Sequence, residues 1–177
     1  HTNDGGGRSG LESTRKALAE NGFQYFGAFL SSDKEDVCEV VSVGIDLTYD
    51  DGTIKQKELP IALCGQNGVF KTPTDAQLAP IKDYSKNLLT VVMPRMGVEY
   101  ETTANKSQTD LYRKFIDNGA DFVAGAHPHV VQNSEVYKDK LILYSMGNFI
   151  FDQRFSDDVQ ESIALDVEVD IPKESLI

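Results

Sequence analysis

The sequence predicts an α/β or α+β fold in a single domain. Three observations carry this: segments with strand character outnumber helical ones, each helical segment lies between strands, and 177 residues at 40% hydrophobic content suffice for one core. The pattern argues for an α/β or α+β sandwich rather than a helix bundle.

The chain opens on a glycine-rich loop, Asp4 to Arg8, which leads into a first helix. Ser9 with Glu12 reads as its capping box, Leu11 and Leu18 recur at i and i+7, and Asn21-Gly22 is the stop. A loop feeding a helix N-terminus is either an anion cradle or a plain connection. Phe23 to Phe29 reads as a short strand and Ser31 to Asp36 as a polar loop. A hairpin follows: Val37, Val41, Val43, Ile45, Leu47 and Tyr49 alternate up to a turn at Asp50-Asp51-Gly52, and Pro60 breaks the second arm before Ile61 to Cys64.

Gln66 to Thr74 is a loop, and Ala76 to Tyr84 supports one or two helical turns around Pro80. Leu88 to Met93 is an apolar run of the kind buried on both faces of a sheet. Ser107 with Asp110 opens a further helix, with Leu111, Phe115 and Ile116 on one face and Asn118-Gly119 closing it. Phe122 to Ala124 is the next strand. Val136-Tyr137 and Leu141 to Tyr144 form a hairpin across Lys138-Asp139-Lys140, and Ile163 to Ile171 alternates as a final strand.

Seventeen basic against 28 acidic residues give a formal charge of -11. That disfavours nucleic acid and anionic membrane surfaces, which reward a positive patch. A phosphorylated substrate stays open, because a bound divalent metal inverts the local field. No apolar run reaches the ~18 residues of a membrane span. The first residue is His1 rather than Met, so the chain is expected to be cut at its N-terminus, and a missing leader says nothing for the cytoplasm. Cys38 and Cys64 flank the first hairpin: a three-residue loop puts them opposite each other, whereas a two-residue Asp-Gly turn puts Gly65 opposite Cys38. Register decides between a disulfide and two unpaired small hydrophobes.

Chemistry concentrates between Gly119 and Gln153. His127 and His129 flank Pro128; residues i and i+2 of an extended segment share a face, and the proline places the pair where a strand gives way to a loop. Neutral imidazoles suit Zn, Mn or Fe, given oxygen ligands as well. Glu99 and Asp121 are the carboxylates expected near them, at neighbouring strand ends. Tyr144-Ser145-Met146-Gly147 is not a Gly-x-Ser-x-Gly elbow, and no P-loop pattern occurs.

Gly119 to Gln132 (Gly-Ala-Asp-Phe-Val-Ala-Gly-Ala-His-Pro-His-Val-Val-Gln), Glu135, Tyr137 and Tyr144 to Gln153 (Tyr-Ser-Met-Gly-Asn-Phe-Ile-Phe-Asp-Gln) resemble the signature of the CapA family. These are bacterial capsule-synthesis proteins associated with poly-γ-glutamate, and the family resembles calcineurin-like metallophosphatases. Gly97-Val98-Glu99-Tyr100 with Gln108 fits the preceding family block. His1-Thr2-Asn3-Asp4-Gly5-Gly6 resembles an Asn-Asn-His-x-x-Asp-x-Gly segment without its first residues.

The resemblance implies an incomplete metallophosphatase-like two-sheet β-sandwich with residues 1–177 as its C-terminal part. It implies a divalent metal site, two ions in the intact family, with Mn, Fe and Zn as the candidates. On this reading His127 and His129 are metal ligands. His1 contacts the phosphoryl group or protonates the leaving oxygen, Asp4 holds its loop, and Glu99 lines the site. Arg95 and Asn148 contact the substrate. Arg95 stands where the family usually has histidine; a guanidinium cannot ligate a cation but binds phosphate or carboxylate directly. The implied activity is metal-dependent phosphoester hydrolysis, with a non-catalytic polymer-binding scaffold as the alternative. The implied partners are an anionic polymer or phosphorylated substrate and the envelope polymer-synthesis machinery, and the implied location is extracytoplasmic.

Overall fold

The computed structural model describes residues 6–27 and 37–169. Its elements run α1 (Gly7–Glu20), β1 (Cys38–Thr48), β2 (Ile54–Asn67), α2 (Asp75–Tyr84), β3 (Leu89–Arg95), α3 (Lys106–Asp117), β4 (Phe122–Ala124), β5 (Ser134–Tyr137) and β6 (Lys140–Leu143), with a 3-10 turn at Asp158–Gln160. The strands form one six-stranded sheet in the order β1-β2-β3-β4-β6-β5. Its centre is parallel (β2, β3, β4, β6), and the edge strands β1 and β5 are antiparallel to their neighbours. This is the expected α/β class, with one sheet among the described residues where the sandwich expectation had two.

The first hairpin shows how register organises the molecule. Tyr49 N–H donates to Thr53 O and Gly52 N–H to Tyr49 O, so Asp50-Asp51-Gly52 is a three-residue loop with Gly52 at φ +81°. That loop places Cys38 opposite Cys64, and the two form a disulfide. Tyr49 and Thr53 are a hydrogen-bonded pair, so two-residue alternation makes Ser42 and Pro60 a non-bonded one. Pro60 thus lacks its N–H on the side away from β1, and β3 begins to pair with β2 only at Ile61. This is why β2 runs unbroken through the proline, contrary to expectation. Among the described residues it also leaves the distal part of the hairpin, from Ser42 to Pro60, as a two-stranded ribbon beyond the sheet.

One row of side chains crosses the sheet from strand to strand: Cys38, Cys64, Val92, Val123, Ile142 and Glu135. Its apolar members are buried beneath Leu78 and Ile81 of α2 and Leu111, Tyr112, Phe115 and Ile116 of α3. The next row, Leu63, Val91, Phe122, Leu141 and Val136, lies on the opposite face and is only partly covered. β3 was expected to be buried on both faces; Met93, on the open one, is 45% exposed.

Helix starts differ from expectation. α1 begins at Gly7 behind Gly6 with no side-chain cap, so Ser9 lies inside the helix. α3 is capped by Asn105, whose side chain accepts from Gln108 N–H, and Ser107 is its second residue. α2 starts one residue earlier than expected, at Asp75, because Thr74 and Gln77 form its capping box, and it runs on through Pro80 to Tyr84. The β5–β6 turn is two residues, Lys138 and Asp139, both at positive φ as a type I′ turn requires, so Lys140 joins the strand. Residues 23–27 form no strand: the Gln24 side chain takes up the Val40 carbonyl, and Gly27 crosses so close to Gly65 that a Cβ there would lie 2.8 Å from its Cα. Residues 163–169 also form none, with Ser162 making only an isolated bridge to Gly147. The remainders of both predicted strands lie outside the described residues.

The far edge is held by charge. Arg113 of α3 donates from Nε and Nη2 to Glu135 of β5, and the Tyr144 hydroxyl donates to the same carboxylate. The Arg113 hydrogen bond holds the Glu135 carboxyl below its usual range, and burial, then Glu135, pushes the Tyr144 phenol up to about 12. A depressed folded value means the contribution is present above the ordinary glutamate range and lost as pH falls through the depressed value. Urea unfolding of wild type and Glu135→Gln between pH 7 and pH 3 should therefore show a gap that closes at the acid end. A gap constant with pH would rule this out.

Candidate metal centre

The parallel strands β3 and β4 deliver the site at their C-terminal ends, the edge at which open α/β sheets present ligands. β3 ends in Arg95, which bridges to Ala126; Met96 N–H then donates to Ala126 O, and the chain turns through Gly97 toward Glu99. Beyond β4, His127 (φ +113°) and His129 (φ +62°) both take left-handed conformations around Pro128. Non-glycine residues held there are strained, and such strain gathers at functional sites. The imidazoles therefore converge through a looped backbone rather than through the same-face spacing of an extended strand. Tyr100, also at positive φ, closes the arrangement by donating its N–H to Pro128 O.

Ligand atoms of Glu99, His127 and His129 all lie within 4.8 Å of one another. His127 is buried and its Nδ1 has no hydrogen-bond partner, while His129 Nε2 stands 3.9 Å from Glu99 Oε1. Burial, then the nearby Arg95 guanidinium, lowers the His127 pKa, with Glu99 opposing. A lowered pKa keeps the imidazole neutral, the form that ligates metal.

The His129 tautomer follows from its neighbours. Asn148 Nδ2 donates to Val159 O at 2.9 Å and to Gln153 Oε1 at 3.2 Å, which leaves Asn148 Oδ1 to accept from His129 Nδ1 at 2.7 Å. Neutral His129 thus carries its proton on Nδ1 and turns the Nε2 lone pair toward Glu99. Gln153 Nε2 donates in turn to the Tyr100 hydroxyl at 3.1 Å, and the His129 ring lies between those of Tyr100 and Phe151. An orphaned buried nitrogen, an oriented lone pair and a carboxylate make a donor set that fits Zn, Mn or Fe.

Of the residues singled out in the sequence, Glu99, His127 and His129 come together with Arg95 beside them, and Asn148 sits behind His129. Asp121 does not join them. It precedes β4, at the opposite end of the sheet, where it accepts from Thr90 N–H and Lys140 Nζ. His1 and Asp4 lie outside the described residues. Gln108 and Gln132, which stood in the sequence only as members of the two family blocks, prove to be the support behind the loops. The available signal was a polar residue on the core stripe of α3: Gln108, Leu111, Tyr112 and Phe115 follow the i, i+3, i+4, i+7 pattern and are all buried.

An α/β domain with a His-His-Glu cluster at its parallel strand ends is the class that fold and site define. The family model described as "Bacterial capsule synthesis protein PGA_cap" matches residues 1–153, and the chain belongs to this family. It is 34% identical over 159 residues to "Capsule biosynthesis protein CapA" of Bacillus anthracis, covering 83% of this chain and 37% of that protein. It is 39% identical over 87 residues to "PGA biosynthesis protein CapA" of Bacillus subtilis (strain 168), covering 49% and 23% respectively. A 42-residue stretch is 50% identical to "Uncharacterized protein y4sH" of Sinorhizobium fredii, covering 24% of this chain and 9% of that protein. The chain thus spans little more than a third of the length of the Bacillus anthracis relative.

Proposed function

We infer that this chain forms part of a metal-dependent phosphoesterase acting in the synthesis of capsule or poly-γ-glutamate. The observation that carries this reading is the convergence of Glu99, His127 and His129 within 4.8 Å. These residues would hold a divalent cation, and the chemistry it would supply there is Lewis-acid polarisation of a phosphoryl oxygen. The chain's own groups do the rest. Asn148 holds the His129 ring so that Nε2 faces the ligand position, burial keeps His127 neutral, and Arg95 offers a bidentate donor to a phosphate or carboxylate. The Cys38–Cys64 bridge supports an extracytoplasmic location, since structural disulfides persist in oxidising compartments.

Arg95 also favours a second reading. A permanent cation beside His127 opposes binding of another, as in a polymer-binding scaffold whose metal site has decayed. Elemental analysis of the full-length natural protein, purified without chelator, separates the two when run beside Arg95→His and with a phosphomonoester assay. Bound metal with hydrolysis in the natural protein supports the phosphoesterase. No metal until Arg95 is replaced supports the scaffold. Binding by neither form would refute the ligand assignment of His127 and His129.

A further inference from the structure

The loops bearing Glu99 and the two histidines belong to different strands, so their mutual spacing needs something outside the sheet ladder. α3 supplies it. Gln108 is fully buried, and its Nε2 donates both to Gln132 Oε1 at 2.7 Å and to Tyr144 O at 3.0 Å. Gln132 Nε2 then donates to Glu101 O at 2.8 Å, and Gln132 N–H to Ser145 O. The orientation of both amides is determined, because Gln132 spends its NH2 on a carbonyl and has only oxygen left to offer Gln108. On its other side the Gln108 carboxamide closes over the Glu99 turn: a Cβ on Gly97 would lie 3.0 Å from Gln108 Oε1 and 2.9 Å from Pro128 Cγ. One side chain therefore touches the turn before Glu99, the residue that ends the histidine loop and the segment that leads to Asn148.

We propose that Gln108 is a positioning residue that sets the distance between Glu99 and the His127–His129 pair, acting through Gln132 and Gly97. The proposal rests on the metal-centre reading above. Buried amides with partners on separate segments transmit position, because each lost bond leaves a desolvated group unpaired. An apolar residue of similar shape at Gln108 keeps the helix packed and frees the loops.

The test is Gln108→Met beside Phe115→Ala, a buried truncation on the same helix, in the full-length protein. Cobalt(II) titration by calorimetry should show affinity lowered about 10–100-fold in Gln108→Met, the range for loss of a ligand's supporting partner. The visible cobalt band should shift as well. Phe115→Ala should lose at least as much thermal stability yet bind cobalt as wild type does. Wild-type affinity and spectrum in Gln108→Met, or affinity that merely follows stability across both variants, would overturn the proposal. A second readout needs no metal: exchange of the Tyr100 N–H, bonded to Pro128 O, should quicken at least tenfold in Gln108→Met and not in Phe115→Ala. If wild type binds no cobalt, the metal-centre reading falls, and this exchange rate still decides whether Gln108 spaces the loops.

Discussion

Removing the disulfide with Cys38→Ala and Cys64→Ala should lower the unfolding free energy by about 3.5 kcal/mol, the loop-entropy expectation for a closure of this length. The bridge joins residues 26 apart in sequence. Cys38 is 4% exposed and Cys64 not at all, and Cys64 pairs directly with Val92 at the centre of the sheet. The crosslink therefore constrains the unfolded chain across the hairpin that starts the buried row. Reduction of the folded oxidised protein should be slow, at a rate set by opening of the hairpin base, because both cysteines are buried. Urea unfolding of the oxidised and alanine forms measures the difference directly. A loss below about 1 kcal/mol would mean that the reduced unfolded chain is already compact there.

His129→Ala is expected to cost more cation affinity than any change behind the site. It deletes a donor whose lone pair is aimed, whereas Asn148→Ala keeps the donor and only releases its ring, a change of about 10–100-fold. Calorimetric titration with zinc should rank wild type above Asn148→Ala and Asn148→Ala above His129→Ala. Glu99→Gln should fall with the ligand deletions, since an amide oxygen binds the cation without its charge. The fold should survive, because His129 belongs to no strand or helix and the sheet's buried row does not include it. Equal affinity in His129→Ala and wild type would remove His129 from the ligand set.

Local chemistry was the legible part. The alternation of Val41 to Tyr49 and the turn at Asp50-Asp51-Gly52 narrowed the β1–β2 register to two choices, and only the three-residue loop seen in the structure pairs Cys38 with Cys64. The His-Pro-His sequence marked the end of β4, and Gly97-Val98-Glu99-Tyr100 marked its companion loop. What escaped depends on partners distant in sequence. Asp121 looked like a ligand because it flanks a strand, but strand direction puts it at the wrong end, a fact available only once β4 is aligned with β3. The role of Asn148 as the hydrogen-bond acceptor for His129 depends on Val159 and Gln153 claiming its NH2. Residues 163–169 alternate like a strand, yet among the described residues their pairing ends with the bond from Ile163 N–H to Met146 O, since β-alternation describes a surface and not a hydrogen-bonding edge. The helix caps went astray because serine at Ser9 and Ser107 competes with other starts nearby, and context selected Gly6 and Asn105.

The ribbon between Ser42 and Pro60 has a mechanical consequence. Among the described residues no third strand pairs with this arm, and a two-stranded hairpin is marginal in water, so the distal pairs from Val43–Leu59 to Thr48–Ile54 should open and close more readily than the rest. Such zippering fluctuations travel inward pair by pair until they meet the covalent rung at Cys38–Cys64. There they stop, and the strands that deliver Arg95 and His127 are insulated from whatever bends, cuts or lengthens the arm.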